Sequence, residues 1–436
     1  MKFYDRINEL ECLSRIKMQS AETASFTVMI GRRRVGKTAL LMQSEEGGKW
    51  LYLFVSRNSE ATLCSQFQQE AAESLGLQIF GTINRFGNLF EQLLAFATTT
   101  HYTLIIDEFQ DFERVNPAVF SEIQNLWDRY KDKIKINFIV CGSIYSLMTK
   151  IFENEKEPLF GRLTSKITVK PFTISVLKNI LNDYNPDYTA EDLLFLYALT
   201  GGVPKYVSLL MDSGAGSFKA MLDFVTRIDS PFLSEGKELL VSEFGRDYGI
   251  YFSILQLIAA GKNRQSEIDS IIGKNTGAYL ANLESQYSFL VKSKPMFARP
   301  ESRNTSWVIE DHFLRFWFRF IYPNQHLIEM GKLDMLKNYI SIHYEQYSGL
   351  VLENYFRQKF AEEENITAIG NYWDSKGKNE IDLIALNDFE KTATIAEIKR
   401  NPKKIDLQVL TIKASTLQSQ LSKYTATLKA LSPDDM

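Results

Sequence analysis

Cysteine is scarce: Cys12, Cys64 and Cys141 are the only three in 436 residues. An odd number spread so widely builds neither a disulfide framework nor a CxxC metal pair, and it fits a reducing, cytoplasmic setting. Histidine is nearly as rare, with four copies, so a His-based metal centre lacks ligands. No charge dominates either. Fifty Lys/Arg against fifty-three Asp/Glu leave a net −3, which excludes a basic coat for nucleic acid but leaves room for a local basic groove. No run approaches the ~18 uninterrupted apolar residues of a membrane span. The most aromatic segment, His312 to Tyr322, is too short and carries Arg315 and Arg319. The first residues are charged from Lys2 onward, without a signal-peptide core. Repeats and low-complexity tracts are absent. What is present is a globular mix, 45% hydrophobic and 24% charged, of a length that predicts about two to four domains.

From residue 26 short apolar runs alternate with helical patterns. Phe26–Ile30, Trp50–Val55, Tyr102–Ile106, Ile136–Val140 and Lys166–Lys170 read as strands, with helices between them. Strands separated by helices imply crossover connections and a mostly parallel sheet. After Pro171 strand patterns vanish, and residues 173–228 read as helices broken at Asn185, Gly201 and Ser213.

The strongest motif is Gly31-Arg-Arg-Arg34-Val35-Gly36-Lys37-Thr38, which satisfies GxxxxGK[ST] directly after a strand and at the start of a helix. Glycines let such a backbone wrap a phosphate, so that successive N–H groups face an anion at a helix N-terminus. Lys37 is expected on the β- and γ-phosphates of ATP, and Thr38 on Mg²⁺. Leu104 to Glu108 supplies the partner: a buried strand ending in two carboxylates, at the end where open α/β sheets bind ligands. Asp107 would hold Mg²⁺, and Glu108 would be the base for the attacking water.

These residues give the first 235 positions a resemblance to the AAA+/STAND group of P-loop ATPases, in particular the archaeal-type ATPases. Phe3 to Leu10 is similar to the family's opening box near the adenine, with Asp5 where glycine is usual. The resemblance implies that Ser143, after the fourth strand, senses the γ-phosphate. It also implies that Arg162, in Pro158-Leu-Phe-Gly-Arg162, senses phosphate or acts as a finger, and that Pro204 belongs to a helical lid.

Residues 250–310 change character. Helical patterns at Ile250–Ile258, Ser266–Ile272 and Asn275–Leu290, followed by extended stretches at Val291 and Ser306–Ile309, read as a winged helix-turn-helix. From Gly249 to Tyr322 nine Lys/Arg oppose six Asp/Glu. Lys274, Asn275 and Thr276 would open a recognition helix that contacts DNA, unless the module is an internal hinge.

The last hundred residues carry a second constellation. Glu380–Leu386 and Thr392–Arg400 flank a turn and predict a hairpin that sets Asp382 opposite Glu397 or one residue off. Lys399 shares the face of Glu397 because the strand period is two. Two carboxylates and a lysine on one spot suit a divalent cation and phosphodiester attack. With Glu353 on a preceding helix, the set resembles the PD-(D/E)xK nuclease core, and Gln420 with Tyr424 fits the QxxxY of RecB-like nucleases on a final helix. From Lys391 onward eight Lys/Arg face four Asp/Glu, and the tail from Ser432 is expected to fray.

The expected fold is therefore α/β: a P-loop parallel sheet (1–172) with a helical lid (173–235), a winged helix (245–312), an aromatic linker helix (313–335) and a restriction-endonuclease-like α/β domain (336–436). The expected function is an ATP-hydrolysing switch or motor coupled to a nuclease-like domain acting on DNA, alone or as a homo-oligomer. The rival is a signalling or scaffold ATPase whose C-terminal domain binds nucleic acid or a protein partner without cleaving. Membrane transport is disfavoured, since LSGGQ is absent.

Overall fold

Five apolar runs become the strands of one sheet: β1 (Ser25–Ile30), β2 (Trp50–Phe54), β3 (Tyr102–Asp107), β4 (Ile136–Gly142) and β5 (Ser165–Thr168). Their order is β2-β3-β4-β1-β5, and every pairing is parallel, as the alternating pattern predicts. β1, β3 and β4 are buried end to end, the signature of a sheet covered on both faces. Phe26, Trp127 and Phe138 pack on one face, with the Phe26 and Phe138 rings stacked at 4.4 Å. Leu13, Met29 and Leu40 pack on the other. Because β4 lies between β1 and β3, with Ile30 opposite Gly142 and Ile106 opposite Val140, the phosphate loop, the acidic pair and Ser143 emerge from three adjacent strands.

A computed structural model describes the chain apart from residues 144, 245–247, 300, 303, 364 and 375–378 and the side chains of 145, 146, 242 and 243. The expected start of the winged helix at 245 thus lies outside the described residues. The chain divides into two compact units, Asp5–Pro171 and Met1–Tyr4 with Phe172–Met436. Among the described residues no helix is long and apolar enough to cross a membrane.

In the second unit the helices Ile174–Tyr184, Ala190–Thr200, Pro204–Asp212 and Phe218–Val225 break where the sequence has Asn185, Gly201 and Ser213. Thr173, Thr189 and Ser217 cap three of them, Thr189 in a reciprocal box with Asp192. Residues Asp192–Thr200 are all buried, so this helix is a core element rather than an amphipathic one. One apolar core joins these helices to the segments that follow. Its links to the C-terminal residues are also polar: Arg400 meets Glu191 in a two-pronged ion pair at 2.6 and 3.2 Å. Glu362 accepts the Ile174 N–H at 2.9 Å.

Helices Tyr248–Ala259, Gln265–Ile272 and Gly277–Ser285 precede an antiparallel ribbon, β6 (Leu290–Ser293) with β7 (Ser306–Ile309). The third helix is shorter than its pattern suggests. The chain turns at Ser288, with φ +52°, so that Leu290 can pair with Ile309. The aromatic segment is not one helix over 313–335. It runs as α-helix His312–Phe316, a π-turn Trp317–Ile321, a 3₁₀ turn Tyr322–Asn324 and helix Gln325–Glu329. Phe313, Phe316, Trp317, Phe318 and Phe320 are all buried, so the segment is enclosed on every side by the core.

A long helix, Leu333–Ala361, packs on a four-stranded mixed sheet. Its strands are β8 (Ala368–Trp373), β9 (Glu380–Asn387), β10 (Thr392–Ile398) and β11 (Thr425–Leu431), in the order β11-β10-β9-β8. β9 and β10 form the expected hairpin, and β11 runs parallel to β10. The expected final helix is absent: Gln420 sits in the single turn Gln418–Leu421, and Tyr424 lies beyond it at the foot of β11. The tail is tied down by a Ser432 cap and by Lys359, which donates to the Asp435 carbonyl at 2.7 Å.

Candidate functional sites

The first site forms at the C-terminal ends of β1, β3 and β4. Gly31 leaves β1 where a Cβ would lie 2.6 Å from the Val169 carbonyl oxygen, so no side chain fits. Gly36 enters the helix Lys37–Ser44 at φ +88°, a conformation that favours glycine. Arg34 is left-handed at φ +71° and Val35 is buried. Strain in non-glycine residues concentrates around this loop, since Asp5, Arg6 and Glu108 also have positive φ. Asp5, standing where the resembled family has glycine, adopts φ +58°. Lys37 is buried, and its ammonium donates to the carbonyls of Gly31 at 2.8 Å and Arg32 at 3.1 Å. Burial pushes it below the ordinary lysine range.

The acidic pair meets this loop. Thr38 donates to Asp107 Oδ2 at 3.0 Å, and Tyr52 donates to the same oxygen at 2.7 Å. Asp107 Oδ1 accepts the Cys141 thiol at 3.0 Å and the Glu108 N–H at 2.8 Å. Glu108 Oε2 accepts from Ser143 at 2.8 Å and from the Gln110 amide. Arg33 in turn donates to Ser143 at 3.3 Å. Loop amides, a buried cation and a hydroxyl–carboxylate pair of hard oxygen donors fit a nucleoside triphosphate with Mg²⁺.

Tyr52 and Gln110, two members of this site, have no motif of their own. Tyr52 comes from β2, and only its adjacency to β3 reveals it. Gln110 is buried beside Glu108. Arg6, also buried, donates to the Val35 carbonyl at 3.2 Å and to Glu9 at 3.1 Å. Its signal was the opening box that the sequence shares with archaeal-type ATPases. Arg162 is held by Asp128 at 2.9 Å and by the Phe160 carbonyl at 2.8 Å, and neither bond goes to the phosphate loop. Pro204 is the first residue of its helix in the second unit, after the left-handed Gly201 and Gly202.

The second site lies on β9 and β10. Ala396 pairs with Leu383, so Asp382 and Glu397 stand opposite each other one step further along. Lys399 reaches both carboxylates, at 2.8 Å to Asp382 and 3.0 Å to Glu397. Lys413, which the motif did not indicate, adds a second cation to Glu397 at 3.0 Å. Burial alone would lower Lys399, but the two carboxylates outweigh it and raise it above its ordinary value. Burial alone would raise Glu397, but hydrogen bonds from Lys413 and Lys399 bring it below the usual range. Gln420 and Tyr424 stand apart from this cluster in their bonding: the Tyr424 hydroxyl donates to Asp388 in the hairpin turn.

Glu353 faces the cluster from the long helix. Burial, reinforced by the charge of Asp382, pushes its carboxyl up to about 8. Because the folded value lies above the unfolded one, near the ordinary 4.5, the folded chain holds a proton that the unfolded chain has lost. The stabilisation is complete below the unfolded value and declines as pH rises towards 8. The unfolding temperature should therefore fall between about pH 5 and 8, and Glu353→Gln should flatten that slope. An unchanged slope in the variant would remove Glu353 as its source.

Between the helices Gln265–Ile272 and Gly277–Ser285, Lys274 and Asn275 are exposed, with Lys274 4.8 Å over the Tyr279 ring. Thr276 is fully buried and bonded to Asp269 at 2.6 Å, so it is closed to a groove.

A family described as an ATPase domain predominantly from Archaea matches residues 3–210, and one described as archaea bacterial proteins of unknown function matches 317–409. An uncharacterized protein of Methanocaldococcus jannaschii is 31% identical over 408 residues, spanning 91% of this chain and 87% of that one. The solved Walker-type ATPase of Pyrococcus abyssi superposes with a TM-score of 0.54 at 20% identity, over 73% of this chain and 96% of that one. At that identity the likeness bears on fold alone. A general secretion pathway protein A of Aeromonas hydrophila is 22% identical over 46% of this chain and 38% of its own length.

Proposed function

Because this chain belongs to one family with the M. jannaschii protein, joining an ATPase domain of the archaeal kind to a C-terminal domain of unknown function, we propose that it is an AAA+/STAND-type switch whose ATP state controls a nuclease-like C-terminal domain acting on DNA. In the ATPase, Gly31, Arg34, Val35, Gly36 and Lys37 cradle the phosphates, while Thr38 and Asp107 hold Mg²⁺, which neutralises phosphate charge when bound. Glu108 takes the proton of the attacking water at Oε2, oriented by Ser143 and Gln110. Arg162 would have to leave Asp128 to serve as a finger, in this chain or in a second copy, and Pro204 would lie in a lid over 173–235.

Residues 245–312 act as a winged helix, offering Lys274 and Lys292 to the DNA backbone. Residues 336–436 form the nuclease-like domain, with Asp382, Glu397 and Glu353 as Mg²⁺ ligands and Lys399 as the stabilising cation. The observation that carries this reading is the convergence of Asp382 and Glu397 on Lys399.

A second reading, an ATP-dependent scaffold without cleavage, is favoured by the two lysines that already neutralise the carboxylates. The test is cleavage of linear, nicked and branched DNA with Mg²⁺ or Mn²⁺, with and without ATP, beside Asp382→Ala. Metal-dependent product lost in the variant is expected. Absence of any Asp382-dependent product on every substrate leaves the scaffold reading.

A further inference from the structure

In the second unit a cavity of about 340 Å³ opens between the β6–β7 ribbon and the C-terminal domain. That volume lies in the range of small-molecule sites, roughly 300–1,000 Å³. Arg315 and Arg357 both line it, with Arg264 at the rim. Arg315 is only 6% exposed. Its Nε and Nη2 donate to the Ile309 carbonyl at 3.1 and 2.5 Å, while its Nη1 has no partner among the described residues. Two further lining groups are in the same position: the Asn354 side-chain nitrogen and the buried Tyr347 hydroxyl.

Each buried donor left unpaired costs about 1–3 kcal/mol, so three of them on one cavity call for an acceptor with several oxygens. The carboxylates on the wall do not supply it. Glu353 lies 3.8 Å from Arg357, and Glu380 pairs its backbone with Trp373 at the edge of the sheet. Three guanidiniums against two carboxylates leave the lining cationic. Trp307 and Trp373 add flat apolar surface beside it.

We infer that this cavity binds a phosphate monoester, with Arg315, Asn354 and Tyr347 donating to its oxygens and an attached flat group lying against the tryptophans. A free nucleoside monophosphate and the 5′-phosphorylated end of a strand share this chemistry. The inference stands whether or not the Asp382 cluster cleaves DNA.

The experiment uses the full chain carrying Lys37→Ala, which silences the phosphate loop. Thymidine monophosphate and a 5′-phosphorylated hexanucleotide are titrated calorimetrically beside thymidine and the 5′-hydroxyl hexanucleotide. Leu350, half exposed at the cavity, accepts a charge without disturbing the core, so Leu350→Glu should weaken phosphate binding about tenfold. Arg264→Glu, exposed at the rim, provides an independent arm. Binding of the monophosphate that both variants weaken assigns a free-nucleotide site. Binding of the phosphorylated strand alone, weakened likewise, assigns a strand-end site. If neither phosphorylated probe binds better than its dephosphorylated counterpart, or if both variants bind like the parent, the inference is wrong and the cavity holds water only.

Discussion

Lys37→Ala should lower ATP turnover by about 100- to 1,000-fold, the scale seen when a preorganised charge-stabilising donor is removed from a site of developing negative charge. The ammonium is buried and its partners are two carbonyls of its own loop. Its removal therefore deletes the loop's buried cation, and the bonds lost with it are confined to those two loop carbonyls. Lys37→Arg should not rescue, because a planar guanidinium cannot occupy the space of a compact ammonium between two carbonyls. Turnover by phosphate release, with an unfolding scan to show that the variant is folded, checks the prediction. Wild-type turnover in a folded Lys37→Ala chain would remove the phosphate loop from the mechanism.

Glu108→Gln should separate binding from chemistry. A positioned general base contributes about 10²–10⁴-fold, so hydrolysis should fall by that factor while ATP still binds. Glutamine preserves the geometry. Its carbonyl oxygen can accept the same bonds from Ser143 and Gln110 that Glu108 Oε2 accepts now, and what disappears is the capacity to take a proton. Equilibrium binding of ATP beside single-turnover hydrolysis distinguishes the two. Equal losses in both would make Glu108 a binding residue.

Much of the ATPase unit is legible because its signals are local. A GxxxxGK[ST] run after β1 constrains φ and side-chain volume within eight residues, and the carboxylates of β3 follow an apolar run that can only be interior. Helix breaks at Asn185, Gly201 and Ser213 were readable for the same reason, since turn residues act on their own backbone. Boundaries failed where tertiary packing overrode the local pattern. The aromatic segment has helical periodicity, but in the packed core it runs through a π-turn at Trp317–Ile321, with Trp317 and Phe318 both buried. The helix expected through Leu290 stopped at Ser285 so that β6 could pair with β7.

The scarcity of cysteine, histidine and net charge weighed against disulfide scaffolds, His-based metal centres and basic coats, and the motifs led to a nucleotide. These conclusions came from sequence alone, because composition and short-range stereochemistry do not depend on what packs against them. Contacts between distant positions belonged to the tertiary structure. Tyr52 on Asp107, Arg6 on Val35, Lys413 on Glu397 and Arg315 with Tyr347 and Asn354 on the lining of one cavity bring together residues whose spacing carries no signal. Strand order and helix packing decide which side chains share a space, and there burial turns ordinary polar groups into a site.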